Sequence, residues 1–279
     1  LALVLYALSQ GPSAGWASPR VLATAMAGIA LFVTLVLVEV NSRQPMLAFR
    51  LFRDRMFRNA NLFSFMMMGG MMGALFLLPL YLQQLRGLSA LESGLTTFPQ
   101  ALGMVVVVQI SSRLYHRVGP RRLIMAGVGG SAVTTALFLL VGLHTDMWWI
   151  RGIMLLRGLT MGLSMVPMQA ASFATIRPQD TGRASAITST NRQVAGSIGV
   201  AVLATVLIER TKSHVAGAAS VAVVAPRTLL AFHDAFFVAA LFSVLGVAFA
   251  FLIHDEDAAA SMMRNVKPVA EPVPAEAVG

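Results

Sequence analysis

The stretch LFSFMMMGGMMGALFLLPLYLQQ, residues 62–84, contains no Asp, Glu, Lys, Arg or His. A crossing of the bilayer's hydrocarbon core as an α-helix needs ~20 mainly apolar residues, and this stretch supplies them. Comparable runs recur on both sides of it, at 22–40, 93–112, 122–143, 148–171, 186–208 and 234–253. The pattern predicts seven complete crossings. Polar or Gly/Pro-bearing turns separate them, among them Gln10-Gly11-Pro12 and Arg177-Pro178-Gln179-Asp180. The run Leu1–Leu8 is too short to cross, and no basic segment precedes it as in a secretory leader. It reads as the end of a helix whose beginning lies upstream.

Composition agrees with this reading. Apolar residues make up 57% of the chain and charged residues 12%, with a mean hydropathy of +0.74. A soluble domain carries about 25% charged residues to wet its surface, so a soluble fold is excluded. The formal net charge of +9 lies between the apolar runs, where it sets topology and meets anionic headgroups; nucleic acid is not an expected partner. The absence of cysteine rules out disulfides, thiolate catalysis and Cys-ligated metal. His116, His144, His214, His233 and His254 stand singly, in what read as loops, without metal-ligand spacing. No cofactor is expected.

Arginine placement gives a direction. Arg43, Arg50, Arg53, Arg55 and Arg58 follow the span at 22–40, and Arg113, Arg117, Arg121 and Arg122 follow the span at 93–112. Excess Lys/Arg marks the cytoplasmic side, which places these two segments and the C-terminus inside. The loops at 11–20, 85–92, 144–147 and 209–233 are then outside, although Arg210, Lys212 and Arg227 break the rule there. Residues 41–58 mix aromatic and basic side chains, as a short interfacial helix or a basic connecting loop would. The Pro-bearing stretch 254–279 reads as a disordered tail.

Ionisable groups inside spans are costly and default to function. Arg157 lies nine residues past Trp148, roughly 13 Å into the core at 1.5 Å per residue. Thr160 and Ser164 follow on the same helical face, which should look at a cavity or a neighbouring helix. The competing reading is a structural arginine satisfied by carbonyls or a carboxylate. Arg192, flanked by Asn191 and Gln193, sits about two turns from the cytoplasmic end of its span and could snorkel to the headgroups. Gln100 and Gln109 are pore-lining amides or interhelical hydrogen-bonding groups. Gly69 and Gly73, Gly158 and Gly162, and Gly196 and Gly199 have the small-residue spacing of closely packed helices. Pro79, Pro99 and Pro167 stand inside spans and are expected to kink them. The cluster Met66-Met67-Met68 and Met71-Met72 suits variable apolar ligands or ordinary core packing. No carboxylate lies in the middle of a span, and no hydrolase or nucleotide-binding motif is present. An enzyme is not supported.

The segment Ser112-Arg113-Leu114-Tyr115-His116-Arg117-Val118-Gly119-Pro120-Arg121-Arg122 resembles the cytoplasmic motif of the major facilitator superfamily, Gly-x-x-x-Asp-Arg-x-Gly-x-Arg-Arg. Ser112 replaces the Gly and His116 the Asp. Leu78-Pro79-Leu80-Tyr81-Leu82-Gln83-Gln84, Gly87-Leu88-Ser89-Ala90, Leu156-Arg157-Gly158-Leu159 and Asn191-Arg192-Gln193 with Gly196 and Gly199 are similar to the fourteen-helix drug:proton antiporters of the EmrB/QacA subfamily. The resemblance implies an all-α, polytopic fold. It implies the end of one helix, one linker helix and a basic linker over 1–61, a six-helix C-terminal half over 62–253, and a cytoplasmic tail over 254–279. It implies proton-coupled efflux of hydrophobic drugs, neutral or cationic, from the plasma membrane, with an N-terminal half upstream as partner. Arg157, Thr160, Ser164, Asn191, Arg192, Gln193 and Gln100 become transport or coupling candidates. Arg113, Arg117, Gly119, Arg121 and Arg122 become the cytoplasmic gating segment. The same fold could instead export a lipid, a siderophore or an endogenous metabolite, or serve as a non-transporting membrane scaffold.

Overall fold

Long apolar runs close their backbone hydrogen bonds internally, because lipid offers no partner. The computed structural model describes residues 2–41, 49–173, 175–216 and 221–252, and every regular element among them is helical. The helices are α1 (Ala2–Ala14), α2 (Pro19–Asn41), α3 (Arg55–Gln84), α4 (Ala90–Val118), α5 (Pro120–Ala136), α6 (Met147–Ser172), α7 (Thr181–Val215) and α8 (Val221–Phe251), with short 3-10 turns at Phe49–Arg53, Leu137–Leu140 and Pro178–Asp180. The tail from 253 onward and Arg43 lie outside the described residues.

Among the described residues six helices are long and apolar enough to cross a bilayer: α2, α3, α4, α5 extended by its 3-10 turn, α7 and α8. The protein is therefore a multi-pass membrane protein. α6, expected as a further crossing, is not among the six, because Arg151 and Arg157 dilute its hydropathy. Its 26 residues nevertheless rise about 39 Å.

Helix ends follow caps rather than the edges of hydrophobicity. α3 begins seven residues before the apolar run because Asp54 Oδ1 accepts the Phe57 N–H at 2.8 Å. That absorbs Arg55–Arg58 of the expected linker into the helix and leaves a 3-10 turn before it. α1 runs through Gly11 and Pro12, where a turn was expected, and ends at Gly15, whose φ of +86° suits glycine. The segment 112–122 is not a loop. α4 continues to Val118, Gly119 alone turns the chain with φ +86°, and Pro120 opens α5. The expected outer loop 209–233 is mostly helix, since α7 reaches Val215 and α8 starts at Val221. Charged residues end an apolar run without ending a helix that has emerged into water. His116, His214 and His233 accordingly stand in helices, not loops.

α6 packs between α4 and α5, α3 between α7 and α8, and α5 against α8. These pairings survive exchange of α3, α4 and α5 for α6, α7 and α8: the α4–α6 pair becomes α7–α3, α5–α6 becomes α8–α3, and α5–α8 maps on itself. The α7–α8 pairing has only a weak counterpart in α4–α5. Such internal repetition recurs in transporter folds. The two main crossings close on glycine. A Cβ on Gly199 would strike the Gly69 carbonyl, and one on Gly158 would strike the Gln100 carbonyl. Gly73, Gly162 and Gly196 also face close neighbours, in Leu203, Met104 and Met72 respectively, so all six glycines singled out by spacing lie at helix contacts. α1 packs on α2 and α7, while α2 exposes Leu22, Met26, Ile29, Leu31, Leu35 and Leu37 as a lipid-facing helix must.

Candidate functional site

Where α3, α4, α6 and α7 converge they leave a cavity of about 110 Å³. Its wall holds seven methionines, Met67, Met68 and Met71 of α3, Met104 of α4, and Met161, Met165 and Met168 of α6, together with Phe63, Ser64, Ser164 and Arg192. Unbranched, polarizable thioethers give a surface that can re-pack around different apolar shapes. A second cavity, of about 590 Å³, opens between α1, α3 and α7, bounded among others by Leu8, Phe76, Gln193 and Ser197. Met68 and Arg192 belong to both walls.

Arg192 is the single ionisable side chain on either wall. It is half-buried, and among the described residues it makes no hydrogen bond or ion pair. Its neighbours part company with it. Asn191 Nδ2 donates to the Asn61 carbonyl at 2.8 Å, bracing α7 on α3, while Gln193 is exposed along the second cavity. The buried Asn61 Oδ1 and Thr188 Oγ1, one on α3 and one on α7, both lack partners.

Arg157 is 2% exposed. It has no ion pair, and its Nε has no hydrogen-bond partner. The carbonyls or carboxylate that a structural arginine would require are therefore missing among the described residues. Arg157 lines neither cavity. Thr160 and Ser164 spend their hydroxyls on their own helix, donating to the Arg157 and Met161 carbonyls at 2.9 and 3.1 Å. The Ser164 side chain packs on Gly127 of α5, beside the Thr160 carbonyl, and the Thr160 side chain packs on Gly130, where a Cβ would have no room. Of the two outcomes expected for this face, the neighbouring helix is the one observed for Thr160, while Ser164 also reaches the methionine cavity. Gln100 sends Nε2 toward Met161 Sδ at 3.8 Å and leaves a buried Oε1 without a partner.

At the other candidate segment, Arg113, Arg121 and Arg122 are exposed around the break at Gly119, and the side chain of Arg117 lies outside the described residues. Among the described residues, none of this segment lines either cavity.

One constellation was absent from the sequence reading. Asp180, 4% exposed, accepts both Arg50 Nη2 contacts, at 3.0 and 3.1 Å, and Arg183 Nη1 at 3.4 Å. Beside it Thr175 Oγ1 donates to Asp54 Oδ1 at 3.0 Å. Leu51, Phe57, Ile176, Ala184 and Ile187 pack beneath. The 3-10 turn before α3 is thereby fastened to the connection between α6 and α7. Near the other end of α7, Asp234 of α8 takes His214 Nε2 at 2.9 Å and Arg210 Nε at 3.4 Å. Partners 130 residues apart, as Arg50 and Asp180 are, carry no common motif, and only the fold brings them together.

A family model described as the Major Facilitator Superfamily matches residues 2–200. The chain is 33% identical over 213 residues to the uncharacterized MFS-type transporter YhcA of Bacillus subtilis, covering 76% of this chain and 40% of that protein. It is 32% identical over 212 residues to a multidrug resistance protein B homolog of Mycobacterium tuberculosis, covering 74% of this chain and 39% of that protein. Against the methylenomycin A resistance protein of Bacillus subtilis the identity is 29% over 219 residues, covering 78% and 47%. The chain spans less than half the length of each of these three relatives.

Proposed function

The chain belongs to the Major Facilitator Superfamily, and we propose that it is the C-terminal portion of a fourteen-helix drug:proton antiporter of the EmrB/QacA kind. The family and the relatives named above are transporters, not enzymes. In this reading 1–61 links the two halves, 62–253 is the C-terminal half, and 254–279 is a cytoplasmic tail at the plasma membrane. Substrate is held between two halves that rock about a midplane site. The observation that carries the reading is the methionine-walled cavity meeting a second cavity at one unpaired cation. A largely apolar wall with a few placed polar groups suits a small hydrophobic cargo, and drug resistance in the names of two relatives points the same way.

Arg157 is assigned to proton coupling. A buried guanidinium without a counter-ion biases the protonation of any carboxylate brought near it, so a proton taken up by an acid of the other half and the position of α6 become linked. Thr160 and Gln100 shape the surroundings of that helix. The exposed Arg113, Arg121 and Arg122, with Arg117, gate at the cytoplasmic side through the hinge at Gly119.

The test is made in inside-out vesicles with an acidic lumen. The full-length transporter should accumulate a hydrophobic dye and lose that accumulation when a protonophore collapses the gradient. The 279-residue chain alone should move none. Dye movement indifferent to the gradient would overturn proton coupling, and gradient-driven movement by the chain alone would overturn its assignment as one half.

A further inference from the structure

A lone cation on an apolar wall is a chemical constraint on what the wall can hold. Among the described residues Arg192 has no acceptor for any of its N–H groups, and no carboxylate lines either cavity. A guanidinium offers five N–H donors in a planar fork that matches a carboxylate or another oxyanion with two parallel bonds. Partial burial strengthens that match, because fewer waters compete for the donors. The same burial penalises a cationic ligand, which would bring a second positive charge to a site with no counter-ion.

Size divides the work between the cavities. Pockets for drug-sized bodies run to about 300–1,000 Å³. The space of about 590 Å³ beside α1 falls in that range, and the methionine cavity of about 110 Å³ does not. Arg192 stands at their seam, next to Met68, which both share. Leu5, Leu8 and Phe76 give the larger cavity an apolar wall, and Gln193 and Ser197 of the helix that carries Arg192 add polar groups to it.

We propose that this site selects amphipathic monoanions: the acid docks on Arg192, the apolar body fills the cavity between α1, α3 and α7, and a small appendage reaches the methionines. The inference rests on the transport reading and narrows it, since efflux of hydrophobic compounds alone leaves the charge of the cargo open. The recognised chemistry is one acid on one apolar body, whether carried by a free amphipathic acid or by an anionic lipid.

The experiment titrates the full chain in phosphatidylcholine nanodiscs with three probes of equal chain length, a dansyl-labelled fatty acid and the matching alcohol and amine. The acid should bind at least tenfold more tightly than the alcohol, and the amine more weakly than either. Arg192→Gln should erase the preference for the acid and leave alcohol binding unchanged, while Arg192→Lys should keep most of it. Arg192 has no partner to lose, so the melting temperatures of both variants should stay at the parent value. Adding phosphatidylglycerol distinguishes the sources: displacement of the acid probe identifies lipid as an occupant, and no displacement identifies the free acid. Equal binding of acid and alcohol, or a preference that survives Arg192→Gln, overturns the inference and leaves the transport reading standing. The same titration of the full-length transporter must keep the preference; its loss there would mean that a carboxylate of the other half already occupies Arg192. Binding of none of the probes, by the chain and by the full-length transporter alike, would remove the cavity as a cargo site and overturn both readings.

Discussion

A guanidinium that is 2% exposed and has no acceptor at Nε is held against the preference of every charge for water or a counter-ion. Replacing buried ionic groups by packed apolar ones is often neutral or stabilising. Arg157→Met keeps an unbranched chain of similar reach in that space. It should raise stability by about 1 kcal/mol or more, read as a higher melting temperature in detergent, and abolish gradient-driven efflux in the full-length transporter. A lower melting temperature would show that Arg157 braces α6 and would remove its coupling role. The sequence alone located this residue, because depth in an apolar helix follows from counting. It did not reveal that Arg192 stands without a partner, nor that Thr160 and Asn191 are spent on backbone carbonyls. A hydroxyl or amide in a span reads the same whichever acceptor the packing places beside it.

Between helices, the steric limit is set by what a single methyl group would meet. On Gly199 and Gly158 it would meet the backbone of the facing helix, Gly69 and Gln100, which cannot turn aside. On Gly196 it would meet only side chains, Met72 at 3.0 Å and Met68 at 3.9 Å, and on Gly152 nothing within 4 Å. Overpacking a close contact costs about 1–3 kcal/mol, whereas Gly→Ala in an open helical position gains up to about 1 kcal/mol. Thermal unfolding of the four alanine variants should therefore rank Gly199→Ala and Gly158→Ala well below the parent, Gly196→Ala near it, and Gly152→Ala at or above it. Equal effects at all four would mean that α3–α7 and α4–α6 do not close on glycine. Gly158, Gly196 and Gly199 were legible because small residues three or four apart lie on one face of a helix. Helix ends were less so. Where a capping box stands in plain order, as with Ser89 and Glu92 exchanging bonds at 2.9 and 3.3 Å, the start of α4 can be placed from residue types. The ends of α7 at Val215 and of α8 at Val221 could not, since hydropathy reports where the lipid stops and not where the helix does.

Across the molecule, two polar contacts among the described residues add to the packing of α1 on α7 in joining α1, α2 and the turn after them to the bundle of α3–α8. Trp16 Nε1 donates to Thr205 Oγ1 of α7 at 3.0 Å while its ring covers Gly11. At the opposite ends of the helices the 3-10 turn Phe49–Arg53 is held by Asp180. If the six helices rock as a unit, the second tie decides whether the segment after α2 travels with them. Its strength is limited: the Arg50 side chain is 61% exposed and the Asp180 side chain 5%, so solvent screens one partner, and exposed pairs contribute about 0–1 kcal/mol. The apolar residues beneath, Leu51, Phe57 and Ile176, would remain packed without it. Asp180→Asn should therefore leave the melting temperature of the bundle nearly unchanged and act locally. Hydrogen exchange followed by mass spectrometry should show faster exchange at 49–58 and 175–187 together, with α4–α6 unaltered. Acceleration of only one of the two segments would mean that Asp180 caps its own neighbourhood without joining them, and no acceleration would mean that the apolar cluster alone holds the linker. Joint acceleration identifies the ion pair as the tie, and it makes the full-length variant the natural test of whether that tie must break if the halves rock as proposed.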